Sequence, residues 1–162
     1  MYCLKQLRGL YTGEIADWAQ LGGPALPVRR FARDEKSGTW DTFRTLVLGS
    51  ATMADARRYE DTDQLVAEVN RTAGAIGFAG MAALKAATRV VAIADAGAPA
   101  LAPAVSHVAT EDYLLARRLF FYTARDAGKH VNDFIEFVQG KDGQAVVAET
   151  GFVSQNIFVA SV

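Results

Sequence analysis

Residues 33–43 read RDEKSGTWDTF, with an arginine four positions before a Ser-Gly-Thr sequence. The residues before them, Pro27–Ala32 (PVRRFA), predict a short strand. Apolar residues at helical spacing predict a helix from Ser37 to Leu48, which Gly49 ends. A strand, a tight connection and the start of a helix therefore follow one another, as they do in α/β folds.

Two interpretations of this connection compete. In the first, Ser37 only caps the helix, because its hydroxyl oxygen can accept a hydrogen bond from a free backbone N–H, and Arg33 is the last exposed residue of the strand. In the second, the connection binds an anion. The start of a helix directs free N–H groups and the positive end of the helix dipole to one point. The residues alone leave both interpretations open.

Each residue of the motif has a property that suits an anion. Gly38 lacks a Cβ, so an oxyanion can approach its N–H closely. Ser37 and Thr39 can each donate a hydroxyl proton. Arg33 offers a planar fork of donors that matches a tetrahedral oxyanion. The acidic residues Asp34 and Glu35 would hold the guanidinium of that arginine in place.

The rest of the chain predicts alternating helices and strands. Helices are expected at residues 3–12, 62–71, around 131–138 and at about 143–150. Strands are expected at residues 74–80, 89–94, 117–123 and 152–162. Among these, RRLFFYT at residues 117–123 is the strongest strand signal. The alternation predicts an α/β fold with a largely parallel sheet.

Composition excludes several classes of function. The chain of 162 residues is 51% hydrophobic and 22% charged, which is a globular balance. Its net charge of −1, with scattered Lys and Arg, provides no basic surface for nucleic acid or a membrane. No apolar run approaches the roughly 20 residues that cross a bilayer. The charged first residues, MYCLKQLRGLYTG, do not resemble a signal peptide.

The sequence also argues against a metal or a cofactor. Cys3 is the only cysteine, so an internal disulfide and a cysteine-rich zinc site are excluded. His107 and His130 lack the spacing of metal ligands. GAIGFAG at residues 74–80 does not have the GxGxxG spacing of a dinucleotide-binding loop. We therefore expect no metal, no cofactor and no nucleotide.

Residues 4–43, LKQLRGLYTGEIADWAQLGGPALPVRRFARDEKSGTWDTF, resemble the middle of the phosphate-binding proteins that serve bacterial phosphate ABC transporters. That family carries a leucine-rich helix, GxIxxW, a Gly-Gly pair, a strand and RxxxSGTxxxF in this order. The same order appears here at residues 13–18, 22–23 and 33–43. The resemblance is greatest to the branch in which the binding module precedes a peptidoglycan-binding domain of the outer-membrane-protein-A type.

The resemblance continues to the end of the chain. GAIGFAG is similar to the GxIGY strand of the family. The tail EDYLLARRLFFYT, followed by VNDFIEFVQGKDGQAVVAETGFVSQNI, is similar to YPLxRxLYLYT and FxxFxxSxxGQxxVxxxGYVxL. Leu114 stands where the family usually has a proline. The first lobe of the family, roughly a hundred residues, has no counterpart in these residues.

The resemblance implies a fold, a ligand and a location. The fold would be the α/β fold of the periplasmic binding proteins, with residues 1–109 as the second lobe and residues 110–162 as a C-terminal segment that returns to the first lobe. Arg33, Ser37, Gly38 and Thr39 would bind phosphate or a similar oxyanion. The partner would be the permease of an ABC transporter, and the location would be the periplasm. No residue would be catalytic.

Two other function classes remain open. The chain could be a truncated remnant that serves in scaffolding or interaction without binding a ligand. It could also hydrolyse a phosphate ester with Ser37 as the nucleophile, although Lys36 is the only nearby group that could activate this serine. A chain without the first lobe would also expose apolar residues of the segment 117–123, which predicts self-association.

Overall fold

The computed structural model of the protein describes residues 2–84, 88–95 and 97–155. The strands in these residues are β1 (Tyr2–Cys3), β2 (Arg29–Arg33), β3 (Arg57–Tyr59), β4 (Ala75–Ile76) and β5 (Ile93–Ala94). The α-helices are α1 (Leu4–Thr12), α2 (Gly38–Phe43), α3 (Thr62–Arg71), α4 (Val105–Ala109), α5 (Lys129–Gln139) and α6 (Lys141–Glu149). Two short 3-10 helices lie at Trp18–Leu21 and Met81–Ala83.

β2 is the central strand of a parallel sheet with the order β3–β2–β4. In this sheet Arg33 lies opposite Tyr59, so β2 and β3 end at the same level. β1 and β5 form a separate parallel pair. The prediction of an α/β fold with parallel strands is confirmed. The ends of β2 and β3 lie side by side, and each leads into a helix.

The main core lies between α1, α2 and the sheet. Its buried residues are Leu7, Leu10, Tyr11, Val28, Trp40, Phe43, Val47, Leu48, Ile76 and Ile93. The ring of Phe43 stacks on that of Phe78 at a centroid distance of 3.9 Å and meets that of Tyr11 at 4.6 Å. The Tyr11 hydroxyl donates to the carbonyl of Phe31. Complete burial raises the pKa of the Tyr11 phenol far above its usual value.

A smaller core joins α3 to the sheet. Phe31 and Tyr59 pack with Leu65 of α3, and the two rings lie 6.0 Å apart. Asp61 begins α3, because its carboxylate accepts a hydrogen bond of 2.8 Å from the N–H of Gln64. This packing fixes the start of α3 beside the end of β2.

The helix predicted at Ser37–Leu48 is present, with a change of winding. Ser37 is its cap, α2 covers the first part, and Arg44–Leu48 continues as a π-helical turn. The N–H of Gly49 bonds to the carbonyl of Arg44 at 2.8 Å, five residues earlier. Gly49 then takes a φ of +61°, which glycine tolerates best, and the helix ends.

Several predicted boundaries were wrong. The strand predicted at Pro27–Ala32 runs from Arg29 to Arg33, because the N–H of Val28 bonds to Ala16 outside the sheet. The strands predicted at residues 74–80 and 89–94 shrink to the two-residue strands β4 and β5. β1, β3 and α4 were not predicted, since each is too short to have a periodic pattern.

The strand predicted at Arg117–Thr123 is absent from the structure. These residues belong to no helix, strand or turn, and Leu119 and Tyr122 are 65% and 92% exposed. β-propensity reflects packing on a pleated surface, so a β-prone run forms a strand only beside another strand. Within the described residues, no strand lies next to this run.

The two C-terminal helices confirm the prediction within a few residues. α5 contains the apolar positions predicted around residues 131–138, and α6 begins two residues before the predicted start at Gly143. Residues 152–155 form no strand, and residues 156–162 lie outside the described residues. In the part of the chain that the structure describes, no helix has the length and apolar character needed to cross a membrane.

Candidate functional site

The connection from β2 to α2 is a tight turn. The carboxylate of Asp34 accepts the N–H of Lys36 at 2.7 Å, and the carbonyl of Asp34 accepts the N–H of Ser37 at 3.2 Å. Asp34 therefore folds the chain back on itself between the strand and the helix. As a result, Arg33 at the end of β2 and the Ser-Gly-Thr sequence at the start of α2 flank one short turn.

Ser37 caps the helix. Its Oγ accepts a hydrogen bond of 3.2 Å from the N–H of Thr39. The serine oxygen is thus used as an acceptor, whereas its hydroxyl hydrogen can still be donated. The carbonyl of Gly38 accepts the hydroxyl of Thr42 at 2.9 Å. The prediction that Ser37 caps the helix is confirmed, whereas the prediction that Arg33 is an exposed strand end is wrong, because Arg33 is half-buried. The cap is compatible with a second role for the Ser37 hydroxyl.

Arg33 is half-buried and its guanidinium group faces the connection between β3 and α3. Nε donates to the carbonyl of Tyr59 at 3.2 Å, and Nη2 donates to the carbonyl of Glu60 at 2.7 Å. Nη1 donates to the hydroxyl of Thr62 at 2.5 Å. A guanidinium carries five N–H groups, so one N–H on each terminal nitrogen is left over.

The sequence predicted that Asp34 and Glu35 hold the guanidinium of Arg33. This prediction was wrong. The carboxylate of Glu35 instead lies 3.4 Å from Nη2 of Arg58. Arg58 also donates to the carbonyl of Arg33 at 3.2 Å and lies 4.4 Å above the ring of Trp40. Glu35 therefore compensates a second arginine, and backbone carbonyls position the first one.

Arg117 is a further cation at this connection. A Cβ added to Gly38 would lie 2.6 Å from Nη2 of Arg117 and 3.5 Å from its Cζ. The absence of a side chain at Gly38 thus leaves room for the guanidinium. The sequence contained a signal for this residue, because Arg117 occupies the arginine position of the YPLxRxLYLYT pattern. Neither Arg58 nor Arg117 was identified as a site residue from the sequence.

An open depression of about 420 Å³ lies beside the groups that bind Arg33. It is lined by Glu60, Asp61, Thr62, Asp63, Ala82 and Ala83. Half of these residues are acidic, and acidic side chains repel an anion. We therefore assign the candidate site to the turn between β2 and α2 and not to this depression.

The described residues contain no group of three or more His, Cys, Asp or Glu side chains placed to hold a metal ion. The ring of His107 contacts the carbonyl of Ala102 through Nδ1 at 2.9 Å. The groups at the start of α2 are thus hydroxyl groups, backbone N–H groups and the guanidinium of Arg117, whereas the guanidinium of Arg33 faces the connection between β3 and α3. Such an arrangement can bind an oxyanion by charge and hydrogen bonds.

The chain is similar to several known proteins. A family model of the PBP superfamily domain matches residues 4–142. Protein SphX of Synechococcus elongatus is 33% identical over 149 residues, covering 86% of this chain and 44% of that protein. The phosphate-binding protein PstS of Bacillus subtilis is 26% identical over 149 residues, covering 91% of this chain and 48% of that protein.

A solved structure has the same fold. The crystal structure of an ABC-type phosphate transport receptor from Vibrio cholerae superposes with a TM-score of 0.78 at 25% identity, covering 93% of this chain and 62% of that one. The chain spans about half the length of the two curated relatives. It thus has part of a periplasmic-binding-protein-like fold, as the resemblance predicted. From the match to most of its length, we conclude that the chain belongs to the PBP superfamily.

Proposed function

We propose that this chain is a phosphate-binding module of a substrate-binding protein in an ABC-type phosphate uptake system. The relative from Bacillus subtilis is named a phosphate-binding protein, and the structure from Vibrio cholerae is described as a phosphate transport receptor. The observation that carries the proposal is the turn between β2 and α2. An arginine with two unused N–H groups ends the strand there, and the serine that caps the next helix lies four residues later.

In this proposal each residue of the motif donates to the anion. Arg33 supplies charge and the two N–H groups that its protein partners leave over. Ser37 donates its hydroxyl, since only the oxygen serves the cap. Gly38 donates its backbone N–H. Thr39 donates its hydroxyl, because its own N–H already bonds to Ser37. The guanidinium of Arg117 adds positive charge near Gly38.

The proposal extends to architecture and context. Residues 1–109 form one lobe, and residues 110–162 form the segment that joins a second lobe. In proteins of this architecture two lobes close on the ligand around a hinge. The protein acts outside the cytoplasm, in the periplasm, and delivers phosphate to the permease of an ABC transporter. It binds phosphate without a metal or another cofactor.

We propose no catalysis for this site. Lys36 is exposed and Ser37 serves the helix cap, so no contact in the described residues activates the serine as a nucleophile. The alternative of a phosphate-ester hydrolase therefore has no supporting observation. The alternative of a remnant without a ligand differs from our proposal in one measurable property, which is the binding of phosphate.

Equilibrium dialysis with radiolabelled phosphate tests the proposal. We expect the chain to bind label that excess unlabelled phosphate displaces, with a roughly millimolar Kd. Joining the N-terminal part of the Synechococcus elongatus relative to the chain should tighten binding, because a second lobe adds donors and excludes water. Absence of displaceable binding in both proteins would favour a ligand-free remnant. Release of p-nitrophenol from p-nitrophenyl phosphate would favour the hydrolase.

A further inference from the structure

Arg58 of β3 contacts three successive parts of the candidate site. Its Nη1 donates to the carbonyl of Arg33 at 3.2 Å, at the end of β2. Its Nη2 lies 3.4 Å from the carboxylate of Glu35, within the turn. Its Cζ lies 4.4 Å from the centroid of the Trp40 ring, in the first turn of α2. One guanidinium group therefore touches the strand end, the turn and the helix.

Arg58 and Arg33 each bond to the backbone of the other's strand. The side chain of Arg33 donates to the carbonyl of Tyr59, the last residue of β3. The side chain of Arg58 donates to the carbonyl of Arg33, the last residue of β2. The N–H of Asp34 also bonds to the carbonyl of Tyr59 at 3.1 Å. Both polar atoms of the peptide group between Arg33 and Asp34 are thus bonded to β3, and this peptide group is where the chain enters the turn.

Trp40 gives Arg58 a fixed point on α2. The ring of Trp40 is buried in the main core and stacks on that of Phe78 at a centroid distance of 6.3 Å. A guanidinium above the face of such a ring is attracted to it. Glu35 has a different effect, because its side chain is 73% exposed and an exposed ion pair adds little stability. It compensates the charge of Arg58 and leaves the orientation of the guanidinium to the carbonyl and the ring.

We propose that Arg58 is a positioning residue of the phosphate site, an inference that rests on the proposed function. It holds the entry of the turn and the start of α2 against β3 before the anion arrives. The donors of Arg33 and of residues 37–39 then have a fixed spacing, and less freedom is lost when the anion binds. Arg58 acts through these residues and not as a ligand, since Glu35 compensates its charge and Trp40 covers one face of its guanidinium.

Titration of the ¹⁵N-labelled chain with inorganic phosphate tests the role of Arg58. Arg58→Ala should raise the Kd for phosphate about fivefold, because the donors of the motif must then be ordered on binding. Arg57→Ala is the matched control. Arg57 precedes Arg58 in the same strand, has the same charge, and lies 5.4 Å from the ring of Tyr59. Its loss should change the Kd by less than about twofold, because salt screens an exposed charge.

Arg58→Lys separates geometry from charge. Lysine keeps the positive charge and lacks the planar group that contacts a carbonyl and a ring together. We therefore expect its Kd to be close to that of Arg58→Ala. Without phosphate, both Arg58 variants should also shift the amide signals of Asp34 and Gly38 and the Nε–H signal of Arg33. Arg57→Ala should leave these three signals in place. The ligand-free signals report on the turn whether or not the anion binds.

Different results would overturn different parts of the proposal. A wild-type Kd in Arg58→Ala, full rescue by Arg58→Lys, or an equal loss in Arg57→Ala would overturn the positioning role alone. Unchanged ligand-free signals in both Arg58 variants would do the same. A wild-type chain that binds no phosphate would overturn the proposed function, and the role of Arg58 in binding with it. The amide signals of α1 show whether each variant is folded, and Arg58→Lys decides by the same two readouts if Arg58→Ala does not fold.

Discussion

Arg33 links two parts of the structure. Three of its N–H groups hold the end of β3 and the start of α3, and the two that remain are available to a ligand. Its backbone ends β2 four residues before the cap of α2, and its guanidinium contacts Thr62, the first residue of α3. Its protein partners are two backbone carbonyls and one hydroxyl, and one of these three hydrogen bonds is exposed to solvent.

We expect Arg33→Ala to weaken phosphate binding at least about tenfold. Hydrogen bonds to a charged group contribute about 1.5–3 kcal/mol each, and tenfold in affinity corresponds to about 1.4 kcal/mol. Isothermal titration calorimetry is the measurement, on the chain joined to the N-terminal lobe of a matched receptor. Arg29→Ala is the control, since Arg29 is an exposed arginine of the same strand. Equal losses in both variants would mean that only overall charge matters.

Ser37 allows the two interpretations of the turn to be separated. Ser37→Ala should lower the free energy of unfolding by about 1 kcal/mol, because the cap is lost, and should weaken phosphate binding less than Arg33→Ala does. Ser37→Asp should keep the cap, since aspartate caps helices as well as serine does. Its carboxylate should nevertheless repel phosphate strongly. Urea unfolding and calorimetry measure the two effects. Normal phosphate binding by Ser37→Asp would reduce Ser37 to a cap alone.

The site residues that the sequence predicted are those with a local signal. Ser37, Gly38 and Thr39 follow one another, and their position at a helix start could be derived from the apolar spacing after them. Arg58 and Arg117 reach the turn from distant parts of the chain. Arg117 matches the arginine of the YPLxRxLYLYT pattern, but nothing local to either residue indicates its contact with the turn. Arg33 was wrongly predicted as the partner of Glu35 for the same reason, since the observed partner, Arg58, comes from the neighbouring strand.

Helices and strands differed in how well they could be predicted. α1, α3 and α5 each carry an apolar stripe within one segment, so their existence could be derived locally. A strand depends on a partner that the sequence does not name. RRLFFYT has strong β-propensity and still forms no strand, because no described strand lies beside it.

Removal of the cap of α3 should affect both the helix and the site. We expect Asp61→Ala to lower the free energy of unfolding by about 1 kcal/mol, because the N–H of Gln64 loses its acceptor. Thr62, which accepts a hydrogen bond from Arg33, is the first residue of this helix, so phosphate binding should also weaken modestly. Asp61→Asn should restore both properties, since asparagine caps equally well. Equal free energies of unfolding of Asp61→Ala and Asp61→Asn in urea would contradict the role of Asp61 as the cap of α3.

The molecule as a whole is one part of a larger architecture. The superposition on the receptor from Vibrio cholerae includes 93% of this chain but only 62% of that receptor. The chain matches about half of the length of the curated relatives. The lobe that residues 1–109 are proposed to form has its own core around Tyr11 and Phe43. The exposed apolar residues Leu119, Phe120, Phe121 and Tyr122 lie in the remaining segment. Their exposure is a property of the whole architecture and could be predicted only from the resemblance.

Metal removal should leave phosphate binding unchanged. The donors of the proposed site are guanidinium, hydroxyl and backbone N–H groups, and none of them is a ligand that Mg²⁺ or Ca²⁺ prefers. Calorimetric titration with phosphate before and after treatment with EDTA is the measurement. Loss of binding in EDTA that added magnesium restores would show that the anion is held through a metal ion.

Nuclear magnetic resonance of the ¹⁵N-labelled chain locates the anion without any substitution. During a titration with phosphate we expect the amide signals of Gly38, Thr39 and Trp40 and the Nε–H signal of Arg33 to shift most, with one common binding curve. Sodium chloride at matched ionic strength should leave them in place. Shifts confined to the acidic depression at Glu60–Asp63, or no saturable shift at the turn between β2 and α2, would contradict phosphate binding by this motif.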